Sequence, residues 1–140
     1  MKNPLAAGLI AGVIGGILIN VARILEAMLG LPSALPGMLS IETVLYHLGY
    51  EIGHIGILGA MCGLVYSRFH DAIPGKKLSK GLVFGGILYL IVNARVAAYW
   101  SAYGWTASAD GLFYSGLAHF CIGIIWSIPY GLVLGALFEK

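Results

Sequence analysis

GLIAGVIGGILIN, residues 8–20, returns without a gap as GLVFGGILYLIVN, residues 81–93. Gly8 falls on Gly81, Gly12 on Gly85 and Asn20 on Asn93. Both copies lie in long apolar runs, and a helix needs about 20 apolar residues to cross a bilayer. Two further apolar runs follow these. The candidate spans are Pro4–Leu29, Thr43–Phe69, Leu78–Trp100 and Gly111–Phe138.

The second helix of each pair aligns as well. Tyr46 falls on Tyr114, Glu51 on His119, and Gly63-Leu64-Val65 on Gly131-Leu132-Val133. The expected architecture is all-α: a four-helix transmembrane bundle of two duplicated helical hairpins. The repeats cover residues 4–69 and 78–138 of a single integral membrane domain, residues 1–140. Two hairpins of the same orientation form a parallel repeat, related by an axis along the membrane normal. Such an axis gathers equivalent residues, here Asn20 with Asn93 and Glu51 with His119.

The composition agrees. Of 140 residues, 59% are hydrophobic and 10% charged, whereas a soluble domain carries about 25% charged residues. A net charge of +2 gives no reason to expect a nucleic-acid partner. The first apolar run is too long for a cleaved leader and lacks a small-x-small site, so a retained helix is expected. Cys62 and Cys121 stand alone on apolar spans and form no metal or redox motif.

Charge sets the orientation. Arg68, Lys76, Lys77 and Lys80 flank the middle loop, and Lys2 and Lys140 lie at the termini. The first and third loops, 31–40 and 101–110, carry no Lys or Arg. Both termini and the middle loop are therefore expected in the cytoplasm of a cell whose inner membrane holds the chain. Tyr46, Tyr50, Tyr99, Trp100, Tyr103, Trp105 and Tyr114 would form the outer aromatic belt. Glycine stripes spaced by four residues on every helix predict close backbone packing. Pro129 is expected to kink the fourth helix, and His70 to be solvated in the basic loop.

With this orientation the ionisable and amide side chains gather in the outer half: Asn20, Arg23, His47, Glu51, His54, Asn93, Arg95 and His119. Buried charge in a membrane is costly and marks a functional site by default. Counting 1.5 Å per residue from the outer helix ends puts His47 about 8 Å deep, Glu51 and His119 about 13 Å, and His54 about 18 Å. His47, Glu51 and His54 share an arc of about 60° on one helix. Arg23 can turn inward toward Glu51, whereas Arg95 lies about 160° around its helix from Asn93 and is expected to reach the headgroups.

Several chemistries use such a set. His54 and His119, with His47 as the alternative, have the depth of axial ligands for a b-type haem. The same histidines with Glu51 could hold a metal ion, and the pocket also suits a quinone-type ligand. Glu51-x-x-His54 has the spacing of a di-iron bundle, but the second copy lacks its Glu-x-x-His. A Glu–His–His chain could instead carry protons or a small cation, although the inner half offers no polar path. Finally, the polar groups could serve only as interhelical glue in a structural subunit. No nucleophile triad or phosphate loop is present, so any redox catalysis would need a partner protein. A homo-oligomer or a larger membrane complex is the expected context.

GLIAGV near the start, the Pro-bearing first loop, Gly53-His54 and the Lys-x-x-x-Gly-Leu opening of the third helix at Lys77–Leu82 carry a resemblance. The chain resembles small four-helix prokaryotic membrane proteins of uncharacterised function, of which the YagU-like family is one branch. The long outer insertion of YagU-like proteins is absent. The resemblance implies the topology and no particular chemistry.

Overall fold

A computed structural model describes residues 2–30, 37–103 and 109–138, with side chains described for 2–30, 37–94 and 123–138. It contains four helices: α1 Pro4–Met28, α2 Ile41–Phe69, α3 Lys77–Tyr103 and α4 Ala109–Leu137. No strand occurs among the described residues. α1, α2 and residues Lys77–Ala94 of α3 are long and apolar enough to cross a membrane, and the described part of α4, Gly123–Leu137, is a shorter apolar helix.

Local chemistry sets the helix ends. Asn3 caps α1 by accepting from the backbone N–H groups of Leu5 and Ala6, with Pro4 in the first turn where its missing N–H costs nothing. Gly30 closes α1 with φ +63°, a conformation natural to glycine after a helix. Ser40 caps α2 through the Thr43 N–H, and Glu42 stands in the first turn where the helix dipole favours an anion. At the other end of α2 the Lys80 ammonium donates to the His70 carbonyl at 2.6 Å, meeting one of the carbonyls a helix end leaves open. α4 continues through Pro129 as one helix.

Helix pairs α1·α2, α3·α4 and α1·α4 pack closely, while α2 and α3 approach at isolated points at most among the described residues. The α1–α2 seam is made of glycine. A Cβ on Gly8 would collide with the Gly59 carbonyl oxygen, one on Gly12 with that of Ile55, and one on Gly16 would come within 2.9 Å of that of Glu51. The α3–α4 seam repeats the pattern. A Cβ on Gly81 would collide with Gly131 and one on Gly85 with Ser127. In reverse, Gly59 meets Gly8 and Gly12 as Gly131 meets Gly81 and Gly85, and Gly63 meets Pro4 and Gly8 as Gly135 meets Lys77 and Gly81.

These contacts match Gly59 with Gly131 and Gly63 with Gly135. The alignment by Gly-Leu-Val triplets, which pairs Gly63 with Gly131, is one helical turn out. In the contact register His47 corresponds to His119, Glu51 to Gly123 and His54 to Trp126. Not every glycine packs: a Cβ on Gly49, Gly53 or Gly86 would meet open space. The expectation that all the glycine stripes serve packing is corrected for Gly49 and Gly53.

α1 buries two adjacent stripes. Gly8, Gly12 and Gly16 face α2, and Ala7 and Ala11 join Tyr66, Phe84, Tyr130, Leu134 and Phe138 in the main apolar cluster. Tyr130 is fully buried and its hydroxyl donates to the Gly59 carbonyl at 2.7 Å, tying α4 to α2. Tyr66 closes the end near the α2–α3 loop, with ring centroids of Phe84 at 5.1 Å, His70 at 5.4 Å and Phe138 at 5.7 Å. His70 is thus packed in an aromatic group rather than solvated; its side chain is 17% exposed.

Gly59→Ala is expected to destabilise the fold by about 1–3 kcal/mol, the usual range for overpacking. Gly53→Ala, facing open space, should be neutral or slightly stabilising, because alanine is the better helix former. Unfolding in detergent micelles, followed by circular dichroism, measures the difference.

Candidate functional site

The backbone approach at Gly16 sets the site. It brings α1 against α2 beside Glu51. Arg23 lies two turns farther along α1. Side chains lean toward the N-terminus of their own helix, and α1 and α2 are antiparallel. Arg23 therefore leans back toward Glu51 while Glu51 leans forward toward Arg23. An Arg23 Nη donates to Glu51 Oε1 at 3.2 Å, with the Glu51 side chain 7% exposed and that of Arg23 23%.

The pair forms one wall of a cleft of about 350 Å³ reached by all four helices. Ile19 and Arg23 come from α1, Tyr50, Glu51, His54, Ile55 and Leu58 from α2, Val92 from α3, and Gly123 and Trp126 from α4. The volume lies near the lower end of the usual small-ligand range of about 300–1,000 Å³. Most of the lining is apolar. Ile19, Ile55 and Trp126 form a small buried cluster backed by Leu88 and Val92. In the glycine-contact register the lining includes matched positions of the two hairpins: Ile19 with Val92, Glu51 with Gly123, and His54 with Trp126.

Several buried polar atoms near the cleft have no hydrogen-bond partner: Arg23 Nε, Trp126 Nε1 and both amide atoms of Asn20. Asn20 is 2% exposed. Buried polar groups are normally paired, because leaving one unpaired costs about 1–3 kcal/mol. The Trp126 pyrrole edge lies against α1, where a Cβ on Gly15 would come within 2.7 Å of it.

The residues singled out in the sequence divide. Arg23, Glu51 and His54 meet at the cleft. His54 is exposed at its edge, with the Tyr50 ring 5.5 Å away. His47 is half-buried, lies against Tyr46 at 5.5 Å, and does not line the cleft. Asn20 and Asn93 do not line it either, and Asn93 donates back to the Tyr89 carbonyl of its own helix at 2.9 Å. The side chains of Arg95 and His119 lie outside the described residues. Among the described residues no three His, Cys, Asp or Glu side chains come together as a metal site would require.

Trp126 is the site residue that sequence reasoning missed. Its signal was present: it is the only tryptophan inside an apolar span and away from the aromatic belt, and an indole N–H in such a place needs an acceptor.

No family model, curated protein or solved structure matches the chain. Function must therefore be argued from the site alone.

Arg23→Met leaves the Glu51 carboxylate buried and unpaired. It should cost about 3–5 kcal/mol, whereas Arg23→Met with Glu51→Leu should recover most of that loss. A double-mutant cycle from unfolding in detergent tests this.

Proposed function

We propose that the protein is a multi-pass membrane protein of two duplicated hairpins whose cleft binds a small amphipathic ligand of the quinone class. The basic residues Arg68, Lys76, Lys77 and Lys80 support a cytoplasmic α2–α3 loop and termini, with the cleft in the outer half. The matched glycine contacts of the two seams support the duplication.

The observation that carries the ligand reading is an apolar cleft walled on one side by Arg23, whose guanidinium is only partly paired. A purely structural polar cluster would be expected to satisfy its own groups. Here Arg23 is half used: one Nη serves Glu51 while Nε has no acceptor. An apolar ring bearing carbonyl oxygens fits both features. Ile19, Ile55, Val92 and Trp126 would hold the ring. The Arg23 guanidinium, which lines the cleft, would donate to one oxygen, and His54, at the edge, would donate to another or exchange a proton with it. Glu51 would keep the guanidinium in place. The metal and b-haem readings draw no support from the described side chains, and the protein would serve as a ligand-holding subunit whose chemistry needs a partner.

Arg23→Lys tests the role of the guanidinium. It keeps a cation for Glu51 but removes the planar second donor. Saturable quenching of Trp126 fluorescence by a benzoquinone is expected in the parent protein, with affinity about tenfold weaker in Arg23→Lys, the worth of one hydrogen bond of about 1.4 kcal/mol. Equal affinity in the two would remove Arg23 from the site. No saturable quenching in either would remove the quinone reading.

A further inference from the structure

We infer that the ligand enters the cleft sideways from the bilayer, between α2 and α3, and keeps an apolar tail in the lipid while its ring sits beside Arg23. This rests on the ligand reading above and adds the route and the form of the ligand.

Three of the four sides of the cleft are closed. At the level of the cleft α1 is packed to α2 at Gly16, and α3 to α4 at Gly123, where a Cβ would come within 3.2 Å of Asn93 Nδ2 and 3.4 Å of the Tyr89 ring. α1 is packed to α4 through Ala7 and Ala11 in the main cluster and through Gly15 beneath Trp126. The fourth side, α2 to α3, is bridged by Tyr66 and Phe84, in the half of the bundle near the α2–α3 loop. Apart from this bridge, α2 and α3 are not closely packed among the described residues.

The α2 wall of this opening is exposed. Tyr50 is 56% and Leu58 37% exposed, and His54 between them is also exposed, yet all three line the cleft. These residues therefore face the cleft and the surroundings at once. In a bilayer the surroundings of this wall are acyl chains. A water-soluble ligand would gain nothing from such a side door, whereas a ligand with an isoprenoid or alkyl tail can bind by its ring alone. The cleft of about 350 Å³ then needs to hold only the ring. The charged pair lies at the inner wall on α1 and α2, so the polar end of the ligand goes in first.

The test uses the full chain in lipid nanodiscs with Trp100→Phe and Trp105→Phe, so that Trp126 alone reports. Two probes are compared, a benzoquinone with a decyl tail and the same ring without it, each expressed as mole fraction in the lipid. A tail that stays in lipid contributes equally before and after binding, so the two should agree within about threefold. Leu58→Tyr, which narrows the opening, should weaken the tailed probe at least about tenfold more than it weakens the tail-free ring. Retained binding of the tail-free ring also shows that the variant is folded. Saturable binding of the tail-free ring alone in the parent protein would overturn side entry while leaving the ring site intact. Leu58→Tyr affecting both probes alike, or neither, would also overturn it. If neither probe binds the parent protein saturably, the ligand reading itself fails.

Discussion

The contact on which the rest depends is the backbone approach of α1 to α2 along Gly8, Gly12 and Gly16. Without side chains at these positions, carbonyl groups of α2 come within van der Waals reach of α1. In a lipid environment apolar side chains gain little by facing each other rather than acyl chains, so close backbone packing is the main source of association. The same approach fixes the antiparallel register. It puts Glu51 at the level of Gly16 and within reach of a backward-leaning Arg23. Moving the register by one residue would turn Glu51 by about 100° and separate the pair.

The second hairpin uses the same seam for a different end. Its glycines repeat the contacts of the first, but the positions that match Arg23 and Glu51 are Val96 and Gly123. Among the described residues that line the cleft, Arg23, Glu51 and His54 come from α1 and α2, while α3 and α4 give Val92, Gly123 and Trp126. That asymmetry makes an amphipathic cleft between two hairpins with matching glycine seams. The cost of holding the Glu51 carboxylate at low exposure is offset by its pairing with Arg23.

Much of this was legible in the sequence. The helices, the glycine seams and the candidacy of Arg23 for Glu51 follow from span length, four-residue spacing and angular position around the helices. The matching of the second helices was misread for a physical reason. The Gly-Leu-Val triplets at 63 and 131 are identical in letters, but packing reads the spacing of paired glycines, and the pairs are Gly59 with Gly63 and Gly131 with Gly135. Sequence periodicity also cannot say which side of a bundle stays open. His54 was therefore read as an interior ligand, although it stands at an exposed edge. Asn93, matched to Asn20 by sequence, satisfies itself by bonding to its own helix, an option local geometry offers to any helical asparagine. Trp126 was passed over because a tryptophan in an apolar span looks like core until its N–H lacks an acceptor.

The most direct test of the account is a through-space solid-state NMR correlation in lipid bilayers between the Arg23 guanidinium and the Glu51 carboxylate. The account predicts a cross-peak between the arginine side-chain nitrogens and Glu51 Cδ, lost in Glu51→Gln. It also predicts that the Arg23 Nε resonance shifts when a quinone is added. A correlation absent in well-folded protein would mean that the α1–α2 register is wrong and that the cleft built on it does not exist.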